Sequence, residues 1–121
     1  MAYEWLECYC LSKPGAVKHY QEEWGCVLYR VEDKMFLMDG ADKNGAPIIS
    51  LKLAPSHGEL VRLEYPGVVI PGYYMNKIHW SSVYTGGDVP DEALKAWIDE
   101  SYGLIFASLP KKKQAAILAG A

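Results

Sequence analysis

Residues 70–80 read Ile-Pro-Gly-Tyr-Tyr-Met-Asn-Lys-Ile-His-Trp and gather more chemically able side chains than any other stretch of the chain. Tyr73 and Tyr74 offer flat rings with hydroxyl groups, Asn76 an amide that both donates and accepts, Lys77 a cation, and His79 a ring that titrates near neutrality. Such a set could stack bases and contact a phosphate. If a strand starts near Lys77, alternation places Lys77, His79 and Ser81 on one face and Ile78, Trp80 and Ser82 on the other. The ammonium would then lower the His79 pKa and keep the ring neutral, available as a base or a hydrogen-bond partner. The same residues have structural readings, and these weigh more. Asn76 can bond to its own backbone in a turn, the tyrosines can cover a core while their hydroxyls stay wet, and His79 can be a hydrogen-bonded core or turn group.

The rest of the chain adds little catalytic equipment. Ser81 and Ser82 lie near His79 without the glycine-framed elbow of a serine nucleophile, and His19, His57 and His79 lack zinc-ligand spacing. Three cysteines, at positions 8, 10 and 26, give no disulfide framework and read as small buried hydrophobes. The expectation is a protein that is not an enzyme, with no metal and no cofactor. A second basic group, Lys111, Lys112 and Lys113, could touch phosphates, although a lysine cluster after a helix is commonly a solvated end. The net charge of −3 opposes a dedicated nucleic-acid binder.

The elements that must carry these residues follow from pattern. At 121 residues, 50% of them hydrophobic and 22% charged, the chain suits a single domain spanning residues 1–121. It has neither a signal-like start nor an apolar run long enough for a membrane span, and a reducing cytoplasm fits its cysteines. Residues 3–12 repeat apolar groups at helical spacing until Lys13-Pro14-Gly15, and residues 16–25 read as a polar connection. Strands follow at 26–31, 34–38 and 47–53, linked by hairpin-like turns at 32–33 and 39–46.

Ser56 and Glu59 have capping-box spacing ahead of a short helix, and 68–70 and 77–85 read as two more strands. Pro90, in the first turn beside Asp91 and Glu92, opens a long helix with Leu94, Trp97, Ile98, Ile105 and Leu109 on its buried side. Gly103 inside it predicts a close packing contact, and Lys111-Lys112-Lys113 heads a last helical piece. The fold expected is α+β, a two-layer sandwich whose mainly antiparallel sheet of about five strands carries helices on one face, in the order α-β-β-β-α-β-β-α.

Several stretches together resemble a known family. They are residues 69–83 with their Asn-Lys-x-His-Trp core, Val89-Pro90-Asp91-Glu92, Asp99-Glu100-Ser101-Tyr102 and Leu109-Pro110-Lys111-Lys112-Lys113. Tyr9-Cys10-Leu11-Ser12-Lys13-Pro14-Gly15-Ala16 and Val31-Glu32-Asp33-Lys34-Met35-Phe36 extend the likeness over nearly the whole chain. In order and spacing they resemble the MmcQ/YjbR family, small bacterial proteins of uncertain function, some of which carry a DNA-binding label. The resemblance implies a secretion-chaperone-like or CyaY-like α+β fold. Glu4 and Glu7 are too few for the acidic iron-binding ridge that frataxin likeness would suggest.

Two functions stay open. One is DNA binding through Tyr73, Tyr74, Asn76, Lys77 and His79 with Lys111, Lys112 and Lys113. The other is a chaperone-like module that holds a protein segment or a small apolar molecule on its sheet or on an exposed aromatic patch including Trp24 or Tyr29. Nine tyrosines and four tryptophans supply the means.

Overall fold

A computed structural model describes residues 3–120. Along the chain run α1 (Leu6–Leu11), β1 (Ala16–Gln21), β2 (Cys26–Val31), β3 (Lys34–Ala41), β4 (Pro47–Lys52), α2 (Pro55–Glu64), β5 (Val69–Pro71), β6 (Trp80–Tyr84), α3 (Asp91–Ala107) and α4 (Lys111–Gly120). The strands form one six-stranded sheet in the order β1-β2-β3-β4-β6-β5, and every neighbouring pair is antiparallel. Among the described residues no helix is long and apolar enough to cross a membrane.

Alternation along each strand divides the sheet into a helix face and a far face. Tyr29 and Val31 of β2, Leu37 of β3, Ile49 and Leu51 of β4 and Val83 of β6 point to the helix face. There they meet Leu6 and Cys10 of α1, Val61 of α2 and Leu94, Trp97, Ile98 and Ile105 of α3, with Ile117 of α4 packed at the margin. The β2–β3 register shifts between Tyr29 and Arg30, so the consecutive residues Phe36 and Leu37 both reach this core, fully buried. A bulge places two large side chains where regular alternation would place one. Each fully buried side chain of this size contributes about 1.5–3 kcal/mol.

Four successive side chains of α3 tie it to the rest of the domain. Asp99 Oδ1 accepts from the Tyr9 hydroxyl at 2.7 Å and pairs with the Lys13 ammonium. Glu100 accepts from the Ala54 N–H at 2.8 Å and holds His57 Nδ1 at 2.7 Å. Ser101 Oγ accepts from the Lys52 N–H at 2.9 Å and donates to the Phe36 carbonyl at 2.6 Å. Tyr102 donates its hydroxyl proton to the Pro14 carbonyl. The Asp-Glu-Ser-Tyr run therefore has an architectural task at every position.

The α+β sandwich and the placement of helices on one face agree with the sequence reading, while several elements differ. The expected connection at 16–25 contains β1, an edge strand exposed on both faces, whose Lys18, His19 and Gln21 hide any apolar alternation. The sheet therefore has six strands rather than about five, while α4 forms where the last helical piece is expected. The third strand continues through Asp39 and Gly40 to Ala41, leaving a tighter hairpin in which Asp42 Oδ1 accepts from the Asn44 and Ala46 N–H groups.

Helix α2 starts after Ala54, with Pro55 in its first turn and no side-chain cap, so the Ser56–Glu59 box is not formed. Pro90 is the N-cap of α3 rather than a first-turn residue. A Cβ at Gly103 would meet nothing within 4 Å, so the close contact expected there is absent. Cys10 is buried as expected, whereas Cys8 is exposed.

Candidate functional site

Among the described residues, no helix lies on the far face of the sheet. A second buried cluster of Cys26, Leu28 and Met38 lies there, with Met35 and Met75 packed against it. Met75 belongs to the 72–79 segment, which leaves β5 and crosses this face before returning at β6. The crossing begins at Gly72, whose N–H donates to the Trp80 carbonyl at 2.8 Å. A Cβ on Gly72 would lie 2.9 Å from Trp80 Cβ and 3.1 Å from its carbonyl oxygen, so only glycine permits this approach. The next residue, Tyr73, donates its N–H to Ser82 Oγ at 2.9 Å, and Ser82 pairs with Ser50 at 2.7 Å beneath it. Two small hydroxyl side chains in the sheet let the crossing segment lie close.

Hydrogen bonds then fix the segment at both ends. Tyr73 Oη accepts from the Lys43 N–H at 3.2 Å, and the Tyr74 hydroxyl reaches the Ala41 carbonyl at 3.4 Å, a long and weak bond. The two rings meet edge to face with centroids 4.5 Å apart. Asn76 Oδ1 accepts from the N–H groups of Ile78 at 2.9 Å and His79 at 3.1 Å, and its carbonyl accepts from Trp80 at 2.9 Å. Lys77 Nζ donates to the Gly72 carbonyl at 2.8 Å and closes the loop on itself.

Between this segment and the sheet opens a groove of about 540 Å³. Cys26, Met35, Met38 and Met75 supply its sulfur-bearing walls, Gly40 and Ala41 its backbone side, and Trp24 and Tyr74 two exposed rings. Gly40 deepens it, since a Cβ there would stand 3.0 Å from Cys26 Cβ. Burial pushes the Cys26 thiol up, with the Asp39 charge adding to the effect, so the sulfur stays protonated and apolar at neutral pH. The Tyr74 phenol is also raised, by desolvation and then by Tyr73 and Asp42. No lining residue carries a charge. The arrangement can shelter an uncharged, apolar group of small-molecule size.

The candidate residues from sequence divide accordingly. Tyr74 reaches the groove, while Tyr73, Asn76 and Lys77 hold the segment in place. His79 is exposed in the turn. The strand expected from Lys77 starts only at Trp80, because the N–H groups of Ile78 and His79 are taken by Asn76, and the Lys77–His79 alternation does not form. Lys111, Lys112 and Lys113 are exposed in the first turn of α4, which packs through Ile117 at the helix face. Lys113 stands 3.4 Å from Glu32. The structure therefore puts the triplet and the 72–79 segment on opposite sides of the sheet.

Of the aromatic candidates, Trp24 is 66% exposed, whereas Tyr29 is 2% exposed and belongs to the main core. Sequence reading missed Cys26, Met35, Met38 and Gly40 as a set. Their signal was the apolar character of β2 and β3 at positions of both parities, which implies that something covers the far face as well. It also missed the His57–Glu100 pair, which joins two helices 43 residues apart.

The geometry has relatives. The YjbR family model matches residues 11–104. The chain is 37% identical over 106 residues to the Escherichia coli K12 protein called uncharacterized protein YjbR, covering 88% of each. It is 33% identical over 93 residues to uncharacterized protein YbdF of Escherichia coli O157:H7, covering 77% of this chain and 75% of that one. Among solved structures, Deinococcus radiodurans protein DR2400, with its DUF419 domain, is similar at a TM-score of 0.83 and 26% identity, over 93% of this chain and 84% of that one. A Pseudomonas syringae protein is similar in fold at a TM-score of 0.74 and 21% identity, over 87% and 99%. The match extends from the end of α1 into α3 and so takes in the whole sheet and the segment that crosses its far face: this chain belongs to the YjbR family.

Proposed function

We propose that this protein is a non-catalytic binding module that holds a small apolar molecule between the far face of its sheet and the 72–79 segment. One observation carries the reading, the uncharged, sulfur-lined groove of about 540 Å³, within the size range of small-molecule sites. Three methionines suit it to ligands of varied shape, because the unbranched thioether side chain repacks easily. The hydrogen bonds of Tyr73, Asn76 and Lys77 support a largely pre-formed wall, which lowers the ordering cost of binding.

Methyl-labelled methionine NMR tests the reading directly. A panel of neutral apolar compounds should shift the Met35, Met38 and Met75 methyl signals in a saturable way. If no compound moves them at about millimolar concentration, in the range of the weakest specific binding, the groove is not a ligand site.

A nucleic-acid role is the second reading, favoured by one observation. Lys111, Lys112 and Lys113 stand exposed in the first turn of α4, where the positive end of the helix dipole adds to their charge. The net charge of −3 and the separation of this triplet from Tyr74 weigh against it. Titration of labelled duplex and single-stranded DNA at low and moderate salt decides. Salt-sensitive binding that weakens when the three lysines become alanine supports this role, and no binding at low salt removes it.

A further inference from the structure

Resting on the groove reading above, we infer that the ligand class is neutral, flat and aromatic, a molecule of two or three rings held by sulfur–aromatic contacts. Three observations converge on that chemistry. Every described methionine of the chain, Met35, Met38 and Met75, lines this one groove, and Cys26 adds a fourth sulfur. Thioether sulfur favours the edges of aromatic rings over aliphatic chains, so a set of sulfurs around one space selects for rings. Trp24 and Tyr74, 66% and 60% exposed, leave their own ring surfaces open to an aromatic guest. Gly40 removes a side chain from the sheet side, which gives a flat molecule room to approach the strand.

Charge narrows the class further. Trp24, Ala41 and Tyr74 are as uncharged as the sulfur walls, and the thiol of Cys26 remains protonated at neutral pH. A ligand anion would lose hydration on entry and gain no ion pair in return. Volume sets the size, since about 540 Å³ accommodates a two- or three-ring molecule.

The test uses three probes on the full chain. N-phenyl-1-naphthylamine is neutral and aromatic, 8-anilinonaphthalene-1-sulfonate carries the same rings with an added anion, and 1-decanol is neutral and aliphatic. The neutral naphthylamine should bind saturably, with the sulfonate about tenfold weaker or worse. Replacing Met35, Met38 and Met75 together by Leu keeps the groove apolar while removing its thioethers. This variant, checked for an unchanged circular dichroism spectrum, should bind the naphthylamine at least about fivefold more weakly. Its methyl-NMR affinity for 1-decanol, read on labelled Leu and compared with the Met signals of the parent, should stay within about twofold, since the volume and apolarity are conserved.

Equal loss of both ligands, or none of the naphthylamine, overturns the aromatic assignment and leaves the groove reading standing. Equal affinity for the sulfonate overturns the requirement for neutrality. Failure of all three probes to bind overturns the groove reading itself. If the triple variant does not fold, the single variants Met35→Leu and Met75→Leu, at partly buried positions, carry the same comparison.

Discussion

Asn76 separates an architectural signature from a recognition signature. Its Oδ1 accepts two backbone N–H groups, those of Ile78 and His79, at 2.9 and 3.1 Å. Its own amide N–H₂ has no described protein partner and is not required by the turn. Asn76→Ala removes both bonds; at about 0.5–1 kcal/mol for each solvent-accessible bond, the loss is about 1–2 kcal/mol. With an unfolding entropy of about 2.1 cal/mol/K per residue, a domain of this length loses about 4–8 °C in Tm.

Asn76→Asp keeps the accepting oxygens and discards only the donor. It should therefore unfold within about 2 °C of the parent, a change of about 0.5 kcal/mol. Differential scanning calorimetry reads both variants, and probe titration reads the groove alongside. The result that refutes the reasoning is an Asp variant as unstable as the Ala variant. An Asp variant that folds normally yet loses ligand binding would show that the amide is a donor to ligand and not a turn residue.

Three other substitutions probe the scaffold. Ser101→Ala leaves the Lys52 N–H and the Phe36 carbonyl without their partner, at about 1–3 kcal/mol each, so urea denaturation should register a loss of about 2–6 kcal/mol; a loss under about 1 kcal/mol would mean that water replaces the hydroxyl. Gly72→Ala forces a methyl against Trp80 and should cost about 1–3 kcal/mol while weakening any groove probe, both read by a Tm and a titration.

Asp39 is held above the usual carboxylate range by burial, only partly offset by Lys18. Its native state binds the proton more tightly than the unfolded chain, so stability falls as pH rises from 3.8 through the raised value, and the full penalty remains at pH 7. Asp39→Asn should therefore raise the urea midpoint at pH 7, with the advantage shrinking as pH falls through the raised value and gone below 3.8. An advantage that grows toward acid pH would reverse the sign and refute the assignment.

Much of the architecture was legible because strong local signals agreed with tertiary demand. Ile49 and Leu51 take alternate positions of a strand, and Leu94, Trp97, Ile98 and Ile105 repeat as a helix stripe, so both elements stand where periodicity puts them. Edge strand β1 was not legible, since Val17, Lys18, His19 and Tyr20 are exposed on both faces and leave no alternation to read. Residues 77–79 looked strand-like by composition. Asn76 withdraws two of their N–H groups from any ladder, a side-chain competition that propensity cannot register.

The candidate site was half legible. The 70–80 run announced itself through residue type, and part of that distinctiveness proved to be turn construction. Its counterpart across the groove is contributed by residues 24–26 and 35–41, which only sheet pairing brings near Met75. Nothing in local spacing links Cys26 to Met75. A reading based on chemically active side chains also passed over methionine and glycine, whose roles here are shape and polarizability.

The bonds from α3 and the residues just before it back to the start of the chain bear on synthesis. Tyr102 and Pro14 are 88 residues apart, and Tyr3 and Val89 are 86 apart. At about 5–20 residues per second, a ribosome needs roughly 4–18 s to add the later partner after the earlier one. During that interval strands β1 to β4 can pair as a local meander, yet their helix face has no α3 to cover it. The nascent chain therefore offers Tyr29, Leu37 and Ile49 to its surroundings for seconds. Translation pauses placed before residue 91 would lengthen the exposure.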